Sequence, residues 1–411
     1  MPLRHADSCK PARLVPVNMS LNRGPSLEVR GALAGSTMVS SPYPCPSSMD
    51  QKIRFCTTAD GVKLAYAISG EGPPLVLSAS WVTHLENQWR SLVWRPWLEA
   101  LSREYTVVRY DSRGCGLSDR HLENVSFDTW VQDFECVVEA AGFEQFSVLG
   151  TCFGGPIAME YAASHPDRVS RLVLYGTCRR GRLRRTDRPK EVEKARLLLD
   201  SLRLGWEPEN QAFVQLWASM FQPGGTFEHM RSWCSQQCVA ASAETAAHLL
   251  PIFWDLDMTS TLRRIRCPAL VAHAERDRVV PIEEGRAIAG LIADCRFVLL
   301  DSENHIPLAD EAAWPHFLAE MRSFLGRPGA ERAPAGSALP LGDLTPRERN
   351  VLECIARGQD NAEIAASLEL SEKTVRNHIT RVFDKIGVEH RYEAIVRARD
   401  AGLGVAPRRA P

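Results

Sequence analysis

Six short apolar runs alternate with segments of helical length, and this alternation constrains the fold more than any other feature of the chain. The runs cover residues 75–77, 107–110, 146–149, 172–175, 269–272 and 297–300. Buried strands separated by helices predict a mostly parallel sheet with helices on both faces. Before them, two alternating apolar runs flank Asp60-Gly61, a pair that is typical of a hairpin turn. We therefore expect an α/β, doubly wound sheet with a hairpin at its start.

The strand pattern disappears between about residues 179 and 264. This segment is helical in character and carries four tryptophans, which are Trp206, Trp217, Trp233 and Trp254. The segment therefore predicts a helical cap above the carboxyl ends of the strands.

Length and charge limit the domain count and the partners. A chain of 411 residues suggests two domains. Lys and Arg number 49 and Asp and Glu number 50, which gives a net charge of −1. The protein as a whole therefore does not attract nucleic acid or membrane, and a nucleic-acid partner has to bind a local region of positive charge. No apolar run reaches about 18 residues, so no membrane partner is expected.

The cysteines indicate a reducing compartment. There are twelve, without a CxxC pair, and this density is far below that of a disulfide scaffold. Cys234 and Cys238 are four residues apart, a spacing that on a helix is more typical of two small apolar side chains than of a metal site. We expect a cytoplasmic protein with no metal and no cofactor.

Composition also suggests the domain boundaries. Residues 1–48 mix Pro, Ser, Gly and Arg and predict a disordered tail, although a misassigned start codon before Met49 is the alternative. Residues 49–326 form the α/β domain, residues 327–342 are a linker rich in Pro, Gly and Ala, residues 343–405 form a small helical domain, and residues 406–411 are a short tail.

The pattern after the linker is purely helical. Thr345 can cap a first helix, with Glu348 completing a Thr-x-x-Glu capping box, and Gly358 ends that helix. A second short helix and a brief turn follow. The third helix begins at Ser371 and ends before Gly387.

The third helix has two different faces. Its apolar stripe consists of Val375, Ile379, Val382, Phe383 and Ile386. The residues that lie largely away from the stripe are Lys373, Arg376, Asn377, Thr380, Arg381 and Asp384. Cations, an amide and a hydroxyl are the groups that reach phosphates and base edges from a major groove. A surface helix often carries Lys and Arg, but two short helices, a turn and a longer helix with a polar outer face predict a helix-turn-helix.

This segment resembles the LuxR-type DNA-binding domain over about sixty residues. The matching residues are Leu344-Thr345-x-Arg347-Glu348, Val351-Leu352, Asn361-x-x-Ile364-Ala365, Leu368, Ser371-x-x-Thr374-Val375-x-x-His378 and Lys385-Ile386-Gly387. The resemblance implies a four-helix domain that binds double-stranded DNA through its third helix.

The same resemblance suggests roles for individual residues. The candidates for contacts with base edges are Arg376, Asn377 and Thr380, and those for contacts with phosphates are Lys373, Thr374, Arg381 and Lys385. The fourth helix, at about residues 391–401, offers Ala394, Ile395 and Ala398 for a contact between two copies. A homodimer of this kind would read a palindromic operator.

A Gly-x-Cys-x-Gly motif places Cys152 between a predicted strand and a predicted helix. That context is typical of a nucleophile elbow, where a helix N-terminus favours a thiolate and an oxyanion. Asp277 and His305 each follow a later strand, in the chain order nucleophile, acid, histidine. We expect His305 to take the thiol proton while Asp277 orients the imidazole. The N–H of Phe153 is one expected oxyanion donor, and the second is expected near Ser80 and Trp81.

Residues 49–326 resemble the α/β-hydrolase superfamily, and the turn Tyr110–Asp119, "YDSRGCGLSD", matches its structural turn. Two features differ from the common pattern. The nucleophile is Cys, as in dienelactone hydrolases, where most members have Ser, and the oxyanion loop reads "SASW" where His-Gly is usual. These departures predict slow turnover or none.

Three functions follow from these patterns. The first is a transcriptional regulator whose α/β domain binds, and slowly hydrolyses, a small ester- or lactone-like ligand, in a pocket for which Trp81, Trp94 and Trp97 are lining candidates. The alternative is an esterase, lactonase or thioesterase with an attached regulatory DNA-binding domain. A third is a binding scaffold in which Cys152 acts as a redox switch.

Overall fold

The structure is a computed structural model that describes residues 51–120, 125–185, 189–207, 209–326, 344–359 and 361–388, with single positions between 394 and 404. The predicted tails at 1–48 and 406–411 and the predicted linker at 327–342 lie outside the described residues.

An eight-stranded sheet forms the centre of the large domain. Its strands are β1 Lys52–Thr57, β2 Lys63–Ser69, β3 Pro74–Ser78, β4 Thr106–Tyr110, β5 Phe146–Thr151, β6 Val169–Tyr175, β7 Ala269–Ala274 and β8 Cys295–Leu300. They lie in the order β1-β2-β4-β3-β5-β6-β7-β8. The pairs β1–β2 and β2–β4 are antiparallel and all other pairs are parallel. The predicted α/β, doubly wound fold class and its initial hairpin are confirmed.

Helices connect the parallel strands and cover the sheet. They are α1 Leu85–Arg90, α2 Trp94–Ser102, α3 Phe127–Ala141, α4 Gly154–Ser164, α10 Ile282–Leu291 and α11 Ala313–Leu325. Five more helices lie between β6 and β7, namely α5 Pro189–Gly205, α6 Gln211–Phe221, α7 Phe227–Ala240, α8 Ala243–Trp254 and α9 Thr259–Leu262. We call α5–α9 the cap helices. Within the described residues, no helix has both the length and the apolar character needed to cross a bilayer.

The turn after β4 is held by a buried carboxylate. The Oδ2 atom of Asp111 accepts hydrogen bonds from the backbone N–H groups of Leu85 at 3.2 Å and Leu117 at 2.9 Å. Gly116 has a φ of +55°, and a side chain at this position would collide with the Asp111 carboxylate. The motif therefore ties two loops together, which agrees with the structural role that the resemblance implies.

The C-terminal helices are α12 Pro346–Ala356, α13 Asn361–Leu368 and α14 Glu372–Ile386. They enclose an apolar core of their own, to which α14 contributes Val375, Val382 and Ile386. The predicted capping box at the start of α12 is confirmed, since Thr345 N–H donates to Glu348 Oε2 at 2.8 Å and Glu348 N–H donates to Thr345 Oγ1 at 3.3 Å.

The predicted contact between two copies through the fourth helix is wrong for the named residues. Ala394 and Ala398 are completely buried and Ile395 is 7% exposed, all within the core of the small domain. Their apolar side chains belong to the same core as those of α12–α14. A dimer contact has to come from other residues.

Candidate functional sites

Cys152 occupies a strained turn between β5 and α4. Its φ is +49°, and among the described non-glycine residues only Glu369 also has a positive φ. That conformation is unfavourable for a residue with a side chain and is kept where the surrounding structure enforces it. A sharp turn of this kind is the geometry of a nucleophile elbow, which lifts the side chain of the central residue away from the backbone.

The flanking glycines allow the close packing that enforces this turn. A Cβ atom at Gly154 would lie 2.6 Å from the carbonyl oxygen of Ser78, and one at Gly150 would lie 2.8 Å from the Cβ of Ala158. The N–H of Cys152 donates to the carbonyl of Tyr175 at 3.0 Å. No larger residue fits at these positions, so close packing explains why the motif has glycine there.

Asp277 and His305 come together at the carboxyl edge of the sheet, after β7 and β8. The Nδ1 atom of His305 lies 2.7 Å from Asp277 Oδ2. The other oxygen, Oδ1, accepts hydrogen bonds from the N–H groups of Val279 at 2.8 Å and Val280 at 2.9 Å. Both side chains are fully buried, so the carboxylate and the ring have little freedom to rotate.

The charges of this pair shift the pKa values of both groups. Burial by itself would lower the pKa of His305, but Asp277 and Cys152 outweigh it and raise that pKa to about 10. Burial would likewise raise the pKa of Asp277, but His305 and, less strongly, His273 outweigh it and hold that pKa below its usual range. His305 is therefore protonated at neutral pH. A thiol beside an imidazolium is the arrangement in which sulfur reacts as an anion.

A cavity of about 20 Å³ lies beside Cys152 and His305. Trp81 and Trp94 line it, whereas Trp97, the third tryptophan predicted to line the pocket, lines a neighbouring cavity of about 30 Å³ together with Trp94. Within the described part of the chain, the Nε2 atom of His305 is buried and makes no hydrogen bond. Since His305 is protonated at neutral pH, this Nε2 carries a proton that it can donate, and it acts as a base only after it has given that proton away.

The two expected oxyanion donors lie at the same place. Phe153 is the N-cap residue of α4, so its N–H belongs to the helix terminus that has no intrahelical acceptor. Ser80 and Trp81 line the cavity with Cys152, and the rings of Trp81 and Phe153 stack at 6.0 Å. The structure thus places two groups of predicted residues near one another: the catalytic candidates Cys152, Asp277 and His305, and the oxyanion candidates Phe153, Ser80 and Trp81.

Two features of the site were not predicted. His273 is fully buried, and its Nε2 lies 3.6 Å from Asp277 Oδ2 and 2.9 Å from the carbonyl oxygen of Val280. Gln236 of α7 lines the cavity beside Cys152. Nothing in the sequence distinguishes a single glutamine on a cap helix from its neighbours, although the position of His273 on β7, four residues before Asp277, could have indicated a contact.

The structure separates the two faces of α14 as predicted. Val375 and Val382 are fully buried, whereas the residues predicted to contact DNA are exposed, except Thr374, which is half-buried. The exposed residues are Lys373, Arg376, Asn377, Thr380, Arg381 and Lys385. Ser371 Oγ accepts a hydrogen bond from the N–H of Thr374 at 3.2 Å and so caps the helix.

Three of these exposed side chains already have partners inside the domain, among them Arg376, whose guanidinium lies 3.6 Å from Glu372 Oε2. Lys385 Nζ lies 2.7 Å from Glu348 Oε2, and this ion pair helps to lower the pKa of Glu348 to about 2. Thr380 Oγ1 donates to the carbonyl oxygen of Arg376 at 3.2 Å. Lys385 thus joins α14 to the capping box of α12, a structural role that the sequence did not reveal.

Among the described residues, no group of three His, Cys, Asp or Glu side chains is placed to hold a metal ion.

Each of the two domains matches a family of known proteins. The model of the alpha/beta hydrolase fold matches residues 73–312, which is more than half of the chain. The chain belongs to the α/β-hydrolase family. The model of the bacterial regulatory proteins of the luxR family matches residues 343–398, so a LuxR-type DNA-binding domain follows the hydrolase domain.

The relatives of the hydrolase domain are enzymes by name. The putative carbamate hydrolase RutD of Azorhizobium caulinodans is 32% identical over 272 residues, which are 63% of this chain and 92% of that protein. The pyrrolizixenacetamide deacetylase of Xenorhabdus hominickii is 25% identical and covers 64% of this chain and 94% of its own length. A solved hydrolase from Pseudomonas aeruginosa PA01 is 28% identical with a TM-score of 0.53, over 67% of this chain and 98% of its own.

Proposed function

We propose that this protein is a DNA-binding transcriptional regulator whose hydrolase domain senses a small ester- or lactone-like ligand and hydrolyses it slowly. The observation that carries the proposal is that one chain holds both a cavity with Cys152 and His305 and a helix, α14, with an exposed face of cations and an amide. Since α14 reads DNA in this proposal, the protein acts in the cytoplasm.

The chemistry proposed for the hydrolase domain is acyl transfer to sulfur. His305 holds the thiol proton as Cys152 Sγ attacks the ester carbonyl, and the oxyanion is stabilised by the N–H of Phe153 and a second N–H near Trp81. His305 then gives the proton to the leaving alcohol. A water molecule, deprotonated by His305, cleaves the thioester, which releases the acid and restores the thiol. Asp277 keeps the ring of His305 oriented throughout.

The size of the cavity supports sensing. A volume of about 20 Å³ accommodates about one water molecule. A ligand of even a few carbon atoms has to displace the aromatic side chains of the cap helices, such as Trp233 and Phe221. Ligand binding would therefore favour a second arrangement of the cap, and a ligand shifts a conformational equilibrium only through such differential contacts.

For the DNA half, we propose that Arg376 and Asn377 contact base edges in the major groove. Lys373 and Arg381 contact phosphates, and Thr374 and Thr380 assist from the same helix. We propose a homodimer on a palindromic operator, which matches the two-fold symmetry of paired recognition helices. Lys385 can contact a DNA phosphate only if its ion pair with Glu348 is broken.

A mobility-shift titration with promoter fragments tests the proposal, using protein untreated or acylated at Cys152 by p-nitrophenyl acetate. We expect a shift at low salt that weakens as salt is raised, and an apparent affinity that changes on acylation in the native protein but not in Cys152→Ala. No shift by a folded protein would overturn the regulator. A shift that is indifferent to acylation, with rapid multiple turnover, would favour an enzyme with an attached DNA-binding domain.

A further inference from the structure

We infer that the cavity beside Cys152 recognises an uncharged ligand that carries a second oxygen acceptor, a carbonyl, in addition to the carbonyl that Cys152 attacks. The inference deepens the proposed function and rests on it for the attack by Cys152. The groups that would bind this second oxygen are the indole N–H groups of Trp81 and Trp233 and the amide N–H of Gln236.

These three N–H groups share an unusual property. Trp81, Trp233 and Gln236 all line the cavity that also contains Cys152 and His305. Trp81 Nε1, Trp233 Nε1 and Gln236 Nε2 are buried, and in the described part of the chain none has a hydrogen-bond acceptor. A buried donor without an acceptor destabilises a folded protein, so three around one cavity require an explanation.

Three neighbouring indole N–H groups that do not line this cavity are bonded to acceptors. Trp97 Nε1 donates to the carbonyl oxygen of Pro307 at 3.1 Å, and Trp206 Nε1 donates to that of Ala241 at 2.8 Å. Trp217 Nε1 donates to Gln237 Oε1 at 3.1 Å, although Gln237 directly follows Gln236 on α7. Among the residues that the structure describes, Trp130 Nε1 and the Tyr175 hydroxyl are also buried without an acceptor, so unpaired donors are not confined to this cavity. Three of them nevertheless line it, beside Cys152 and His305.

The chemistry of the walls selects the acceptor. Apart from His305 and Cys152, which form the reactive pair, no residue that lines the cavity carries a formal charge. Indole and amide groups donate hydrogen bonds without supplying a counter-charge, and a buried anion needs one. A neutral carbonyl oxygen, which has two lone pairs, fits these donors, whereas a carboxylate would lack a cation of its own, because the charge of His305 is paired with Asp277 and Cys152.

The donors also come from two parts of the domain. Trp81 lies in the loop after β3, and Trp233 and Gln236 lie three residues apart on the cap helix α7. An acceptor that bonds to both sides would hold the cap against the sheet. Recognition of the second oxygen is therefore coupled to the position of the cap.

The test compares two esters of equal length, p-nitrophenyl 4-oxopentanoate and p-nitrophenyl pentanoate. The initial release of p-nitrophenolate reports acylation of Cys152, and each rate is divided by that of spontaneous hydrolysis. We expect the native protein to prefer the keto ester by about tenfold or more. The preference should fall to within about twofold in the double variant Trp233→Phe/Gln236→Met, which keeps an aromatic ring and an unbranched side chain but removes both N–H groups.

The matched control is Trp206→Phe, which removes an indole N–H that is already bonded and does not line the cavity. This variant should retain the preference. A native protein without preference, or a double variant that keeps it, would overturn the inference. If neither ester acylates Cys152, the affinities of Cys152→Ala for the two esters are measured by titration of tryptophan fluorescence. Equal affinities would overturn the inference.

These measurements involve no DNA. If the protein failed to bind DNA, the proposed regulator would be excluded but the inference about the ligand would stand. If it bound both esters equally, the inference would be excluded but the proposed regulator would stand.

Discussion

The Oδ2 atom of Asp277 lies 2.7 Å from Nδ1 of His305 and 3.6 Å from Nε2 of His273, so one buried carboxylate faces two buried imidazoles. The shorter contact orients His305 toward the cavity that contains Cys152. Because the N–H groups of Val279 and Val280 hold the other carboxylate oxygen, Asp277 cannot turn away from the histidine without losing three hydrogen bonds.

Replacing Asp277 with Asn tests this relationship. An amide in place of the carboxylate leaves the shape intact but no longer fixes the imidazole tautomer, so acylation of Cys152 should slow by about 10³- to 10⁴-fold. The measurement is the initial rate of p-nitrophenolate release. Asp301→Asn is the matched control, since this exposed carboxylate pairs with Arg276 and should leave the rate unchanged. Equal rates in Asp277→Asn and the native protein would exclude Asp277 from the triad.

The raised pKa of His305 predicts the pH dependence of thiol alkylation. At pH 7 an imidazolium beside Cys152 should keep the sulfur reactive, so iodoacetamide should modify Cys152 about tenfold faster in the native protein than in His305→Gln. The comparison is repeated between about pH 6 and pH 10, because His305 loses its proton only near the upper end of this range. Mass spectrometry of the Cys152 peptide separates this reaction from those of the other cysteines. Identical pH profiles would contradict the proposed pair.

The exposed face of α14 predicts the effects of substitutions on DNA binding. Arg376→Ala and Asn377→Ala should each weaken specific binding by about 10- to 100-fold and should reduce discrimination among operator sequences. Lys373→Ala should instead weaken binding to all sequences and reduce the slope of affinity against salt by about one ion. Arg349→Ala removes an exposed arginine from α12 and serves as the control. The double variant Arg376→Ala/Asn377→Ala should reduce promoter occupancy in cells. If occupancy were unchanged, the protein could not be a regulator that reads DNA through α14.

The ion pair between Lys385 and Glu348 predicts an effect on stability rather than on DNA binding. Lys385→Met should lower the unfolding temperature of the C-terminal helices more than Lys373→Met, because only Lys385 is bonded to the capping box. Lys385→Met should also change the salt dependence of DNA binding less than Lys373→Met does. The opposite order for the two lysines would restore Lys385 to the phosphate contacts.

The same ion pair has a defined pH dependence. The pKa of Glu348 is lowered from 4.5 to about 2, mainly by Lys385 and the N–H of Thr345. A carboxylate with a lowered pKa in the folded state stabilises fully above its unfolded pKa, and this contribution is lost as pH falls through the folded value. The difference in unfolding temperature between the native protein and Glu348→Gln should therefore be largest above pH 5 and should shrink toward pH 2. A difference that is constant over this range would refute the assignment.

Much of the fold and both candidate sites could be predicted because they depend on local patterns. The apolar runs indicated six strands, since a buried parallel strand is apolar on both faces. The small residues around Cys152 indicated a sharp turn, and the stripe through Val375 and Val382 indicated which side of α14 faces outward. In each case the cause lies within a few residues of the chain.

Packing between distant segments decided the rest. Only the folded chain brings Asp277 to His305, lays Trp233 and Gln236 beside Cys152 without acceptors for their N–H groups, and pairs Lys385 with Glu348. It also buries Ala394, an expected dimer contact, in the core of one domain. Periodicity indicates which face of a helix is apolar, but what that face meets, and whether a buried polar atom finds a partner, depends on where elements far apart in the chain pack against each other.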